Sequence, residues 1–291
     1  MAAEWRRVFR VQGMDSAASP RFQMVPNSGC RWVALHDGRG MGVASSVTTV
    51  CTVTEIREAD LPADDRATGA AAAVTGDRFF RLEGKSKGLC GIVAVSLSAL
   101  PALLEVNVKD KLTQRVKFFS VHDNAGHRST RPLAIVGQWM PTLNYIFKRQ
   151  ANVEFVRHGS LERLPIAQAL GNPIQLNPAG GLGADATTIV GFGSGTADLN
   201  VFFVWELRRA ASGDSTEATT QTIGSAHAGG GPGNVLIEDD VDGRDDLALA
   251  HEIGHHLGLS HNTASATNLM FNTSPLQGFS LNKAEVNIAN P

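Results

Sequence analysis

Cysteine is scarce in this sequence. The three present, Cys30, Cys51 and Cys90, include no CxxC pair, which excludes a cysteine-ligated zinc knuckle and a thioredoxin-like motif. At most one bridge can form within a monomer, by any of three pairings, and buried thiols in a β domain are the simplest reading. Charge of one sign is also lacking. A formal net charge of −2 sets up no basic field that would draw in nucleic acid or an anionic membrane. No run of about eighteen apolar residues occurs, so no membrane insertion by a helix is expected. The opening stretch, MAAEWRRVFRVQGMDSAASP, has early arginines but no apolar core and no clean cleavage site for a signal peptide. The expectation for localisation is export by a route that needs no such peptide. Retention inside the cell and processing before residue 1 are the alternatives.

What the sequence does contain falls into two textures, and the chain is long enough for two hydrophobic cores. Up to about residue 112 it runs in short β-type segments separated by turn residues: RWVALHD (31–37), SSVTTVCTVTEI (45–56), DRFFRLEG (77–84), LCGIVAVSL (89–97) and LLEVNVKD (103–110). Leu104, Val106 and Val108 alternate with Glu105, Asn107 and Lys109, the period of a half-buried strand. Such spacing without helical patterns predicts an all-β sandwich over 1–112. The stretch FFRLEGKSKGLCGIVAV resembles the closing strands of bacterial immunoglobulin-like domains. Residues 59–77, polar and rich in Ala and Gly, read as loop.

From 113 to 291 the pattern changes. RVKFFSVHD (115–123), VEFVRHG (153–159) and DLNVFFVWEL (198–207) read as strands. In 131–150, Leu133, Val136, Met140, Leu143, Ile146 and Phe147 recur at helical spacing, with Pro141 expected to kink or split the helix. Residues 171–195, rich in Gly, Asn and Pro, read as a long surface excursion. A glycine-laden loop and short strand (224–240) precede a strong helix over 244–259, with Asp242 as its expected N-cap and Asp245 and Asp246 near its positive end. This order describes a mixed α and β layer rather than a second sandwich.

That helix carries HEIGHHLGLSH, residues 251–261, with four of the chain's nine histidines. Residues four apart share one helix face, so His251 and His255 can reach one ion at about 2.0–2.1 Å. Glu252 is poorly placed to be a ligand and well placed to touch a water polarised by the metal. Gly258, three residues after His255, can take a positive φ, end the helix and return His261 towards the same ion. Three protein ligands leave the fourth position open, as catalytic zinc requires. His256 lies one position off this face and reads as exposed or supporting. His36, His122, His127 and His158 have no ligand-like spacing.

The complete pattern H-E-x-x-H-x-x-G-x-x-H resembles the metzincin zinc endopeptidases, and ATNLMFN (266–272) is similar to that family's Met-turn. The resemblance implies an α+β, zincin-like catalytic domain over 113–291, with one catalytic Zn2+ held by His251, His255 and His261. Glu252 would be its general base, Gly258 its helix-ending glycine, and Met270 a hydrophobic base beneath the metal. Residues 271–277 would wall a substrate pocket. His227, in SAHAGGGPGN, is similar to a structural-zinc histidine of matrix-type members, but the partner histidine has no match; a glycine-rich loop and an exposed strand bordering the cleft are the better reading. Asn272 stands where some members carry a tyrosine ligand, and the only tyrosine is Tyr145. No cysteine-switch sequence is present; Cys30 and Cys90 are the thiols left to cap the metal. The expected function is a zinc-dependent endopeptidase acting on protein or peptide substrates. Two rivals are a surface- or partner-binding protein with a relic or structural zinc site, and a toxin or effector protease delivered to another cell. A gluzincin arrangement would have to use Glu285.

Overall fold

The computed structural model describes residues 9–11, 21–35, 40–61, 78–96, 99–132, 134–177, 182–209, 218–221, 232–239, 245–271 and 278–291. Most of the 59–77 loop, His36, Asp242, His227 with its glycines, and residues 272–277 lie outside them. The chain divides into two compact units. The first comprises Met1–Leu112, Phe147–Val153 and Ser280–Asn290, the second Thr113–Ile146, Glu154–Phe279 and Pro291. Among the described residues no helix is long and apolar enough to cross a membrane.

The first unit holds two four-stranded sheets. Its strands are β1 (Phe9–Val11), β2 (Arg21–Pro26), β3 (Cys30–Leu35), β4 (Gly42–Ser45), β5 (Cys51–Ile56), β6 (Arg78–Gly84), β7 (Gly88–Ser96) and β8 (Ala99–Lys109). One sheet runs β1-β3-β6-β5, antiparallel throughout. The other runs β2-β8-β7-β4, with β2 parallel to β8. Val33, Leu35, Phe80 and Leu82 from the first sheet share one core with Val25, Ile92, Leu104, Val106 and Val108 from the second. Each such side chain contributes about 1.5–3 kcal/mol on burial, so alternation along β8 fixes which face turns inward.

The polar row of β8 has a use that its alternation alone does not reveal. A C-terminal helix, Lys283–Ala289, belongs to this unit and meets that row. Lys283 pairs with Glu105 at 2.6 Å, Asn107 bonds Asn287 at 3.1 Å, and Lys109 donates to the Asn290 carbonyl at 2.7 Å. A capping box starts the helix: Asn282 accepts from the Glu285 N–H, and the Glu285 carboxylate accepts from the Asn282 N–H. Elsewhere in the unit, Arg31 on β3 caps a helical turn, Arg149–Ala151, by donating to the carbonyls of Arg149 and Lys148.

The second unit is built on a six-stranded mixed sheet. Its members are β9 (Leu112–Asp123), β10 (Val153–Arg157), β11 (Glu162–Ile166), β13 (Leu199–Val204), β15 (Ala218–Gln221) and β16 (Gly233–Glu238), in the order β10-β9-β13-β16-β15, with β11 also on β9. β9, β13 and β16 are parallel, and β15 runs antiparallel at the end of the sheet. β13 is buried at every position, as a central parallel strand covered on both faces must be. Phe119 and Phe202 stack at 5.0 Å within one core; Phe203 meets Trp139 edge-on at 5.4 Å.

Two expectations need correction here. The described part of 171–195 is not a single loop: it holds β12 (Ile174–Leu176), which pairs with β14 (Leu207–Arg209), and the helix α2 (Ala184–Val190). Ile174, Leu176, Ala186 and Ile189 are core residues, in elements too short to show a period. In α1 (Ile135–Leu143) Trp139 takes the buried place expected of Met140. Arg131 explains the shift, since its guanidinium lies 5.0 Å from the Trp139 ring and bonds the Glu238 carbonyl. Pro141 stays inside α1, which continues as a π-helical stretch, Asn144–Lys148.

Candidate metal centre

The helix α3 (Asp245–His256) packs against α1, β15 and β16. Leu247, Leu249, Ala250 and Ile253 are buried, and Asp246 near its start accepts from the Thr142 hydroxyl at 2.8 Å. Its far end is a Schellman turn: the Leu259 N–H reaches the Gly254 carbonyl and the Gly258 N–H reaches that of His255, both at 2.9 Å. Gly258 has φ +88°, a conformation that side chains rarely adopt. The chain turns back there, as the spacing of the motif requires.

His251, His255 and His261 come together. One ring nitrogen from each lies within 4.8 Å of those of the other two. The Nε2 atoms of His255 and His261 are 3.2 Å apart. Two nitrogens bound tetrahedrally to one zinc at 2.0–2.1 Å would be separated by about 3.3 Å, so the pair already has the required spacing. His251 Nδ1 donates to the Leu269 carbonyl and His255 Nδ1 to the Leu259 carbonyl, both at 2.8 Å. Each bond leaves Nε2 as the lone-pair nitrogen and fixes its ring, the usual support of a ligating histidine. Burial pushes the His251 imidazole down to about 4, with His255 and His261 adding to the effect against the Leu269 bond. Burial and the neighbouring His255 also lower His261. Both rings are therefore neutral at pH 7, the form that binds a metal.

The segment below the site ties these parts together. Met270 is fully buried, and a Cβ placed on Gly254 would lie only 2.4 Å from its sulfur. Gly254, between the first two histidines, thus admits the Met270 side chain against α3. The Met270 carbonyl accepts from the Asn262 N–H at 2.8 Å, next to His261. Asn268 accepts from the Met270 N–H at 2.7 Å. Two adjacent carbonyls, of Leu269 and Met270, hold His251 and the His261 loop respectively. Sequence reasoning missed Gly254; the glycine inside HEIGHH was its only visible sign.

Glu252 follows His251 on α3 and is half-buried. His256, expected to be exposed or supporting, is buried with its ring against the Gly233 backbone. His122, His127 and His158 have polar neighbours in Ser120, Asp123 and Thr196. Cys90 lies in the sandwich core, which removes it as a cap on a metal. Glu285 serves the capping box of the C-terminal helix in the first unit.

No family model and no curated protein matches the sequence. Solved structures similar to it include archaemetzincin from Methanopyrus kandleri, at 15% identity and TM-score 0.40, over 61% of this chain and 93% of that one. Metalloproteinase-II from Bacteroides fragilis is similar at 10% identity and TM-score 0.39, over 92% and 84%. Domains 4 and 5 of the S-layer protein SbsC are similar at 14% identity and TM-score 0.22, over 32% of this chain and 49% of that one. The chain spans about half the length of the S-layer fragments it matches. At these scores none of them defines its fold.

Proposed function

We propose that the second unit is a zinc-dependent endopeptidase of the metzincin type. The convergence of three imidazoles, two of them locked by backbone carbonyls, carries this reading. His251, His255 and His261 would hold one zinc ion. When bound, zinc supplies a Lewis acid for a carbonyl oxygen and lowers the pKa of water. Glu252 takes a proton from the attacking water and returns it to the departing amine. Met270 and Gly254 keep the floor of the site apolar and α3 in place. β15 lies at the end of the sheet and against α3, and an extended peptide would align along it by strand addition.

For the first unit we infer an immunoglobulin-like domain that binds a surface or a partner, in a protein that acts outside the cell that makes it. The support is strand order. Lettering β1, β3, β4, β5, β6, β7 and β8 from A to G gives A-B-E-D in one sheet and G-F-C in the other, where β2 is an additional strand beside G, the arrangement of that fold.

The test compares wild type with Glu252→Gln for zinc content and for cleavage of casein. The variant should retain zinc and lose about 10²–10⁴-fold in rate, and a chelator should abolish wild-type cleavage. Wild type that holds zinc but cleaves no peptide would favour the binding-protein reading. A variant with full activity would remove Glu252 from its role.

A further inference from the structure

Two thiols meet inside the first unit. Cys51 opens β5 in one sheet and Cys90 lies in β7 of the other. Both are buried in the shared core, whereas Cys30 is exposed. The turn leading into Cys51 runs beside β7 on either side of Cys90 and is hydrogen-bonded to it beyond Cys90. Beyond it, the Ser46 N–H donates to the Gly91 carbonyl and the Gly91 N–H to the Ser46 hydroxyl, each at 2.8 Å. Before it, a Cβ on Gly88 would touch the Val50 side chain at 3.3 Å. This junction places Cys51 and Cys90 in one core, and the Cys90 thiol is among the groups that raise Cys51.

We propose that Cys51 and Cys90 form a disulfide that links the two sheets when the chain folds in an oxidising environment. The oxidant is a low-molecular-weight disulfide. One cysteine, as thiolate, attacks it and releases a small thiol; the other then displaces the second small thiol from the mixed disulfide. Two protein S–H bonds are lost, one S–S bond forms, and the small disulfide leaves as two thiols carrying the protons. Burial pushes Cys51 up to about 12 and also raises Cys90, so the folded sandwich holds almost no thiolate. The bridge therefore closes while the sheets assemble.

The full chain, reduced and unfolded, is refolded with oxidised and reduced glutathione, then alkylated in denaturant and mapped by peptide mass. The expected result is one alkylated cysteine, Cys30, and a Cys51–Cys90 linked peptide. The melting temperature should lie on the order of 10 °C above that of chain refolded under reductant. Cys30→Ser, an exposed change that spares the core, should leave no alkylatable thiol. Three alkylated cysteines in wild type, a bridge that includes Cys30, or two free thiols in Cys30→Ser would overturn the proposal.

Discussion

The helix-borne and loop-borne parts of the candidate metal centre are built differently. His251 is only 5% exposed and is anchored to a carbonyl 18 residues further along the chain, at Leu269. His261 is exposed and reaches the site through the bend at Gly258 and the Asn262–Met270 bond. The first imidazole is therefore part of the core as well as of the site, and the third belongs to the site alone. Loss of the first should damage folding and metal binding together, and loss of the third should damage metal binding only.

Substitution of each histidine gives the largest contrast. His251→Ala should remove stoichiometric zinc and lower the stability of metal-free protein by about 2–4 kcal/mol, because it empties a buried site. His261→Ala should weaken zinc binding while stability without metal stays within about 0.5 kcal/mol. Denaturant melts of chelator-treated protein measure both. Equal destabilisation by the two would erase the distinction.

Acid sharpens the same contrast. His251 titrates near 4 in the folded chain against 6.5 as its ordinary value. Its folded pKa is depressed, so below 6.5 the unfolded chain takes up a proton that the folded ring refuses. Stability of metal-free wild type should thus fall as pH drops from 6.5 towards 4, by roughly 1.4 kcal/mol per unit. Chemical denaturation across that range should show a shallower fall in His251→Ala.

Smaller effects come from the two glycines of the helix end. Gly254→Ala would press on the Met270 sulfur and should cost about 1–3 kcal/mol through overpacking. Gly258→Ala places a side chain at φ +88° and should cost about 1 kcal/mol. Thermal melts with zinc titration would rank them; a neutral Gly254→Ala would show that Met270 can yield.

These contrasts also mark what the sequence can reveal. His251, His255, Gly258 and His261 were legible because a helical repeat followed by a positive-φ turn dictates their spacing. β8 was legible because its polar and apolar residues alternate, and β13 because a strand buried on both faces is apolar at nearly every position, here all but Asn200. β12 and α2 escaped notice, having three and seven residues, too few to display a period. Gly254 and the carbonyls of Leu269 and Leu259 act through close approach and backbone bonding, which leave no pattern in side-chain polarity. The C-terminal helix was hidden for a related reason: its contacts fall on polar residues of β8 that a solvated strand face would carry equally well.

The most direct measurement is the metal content of purified wild-type protein after exhaustive dialysis, by elemental mass spectrometry, beside His251→Ala. One zinc per wild-type chain, and none in the variant, is the predicted result. Wild type without stoichiometric metal, or zinc retained in full by the variant, would contradict a centre built on three convergent imidazoles.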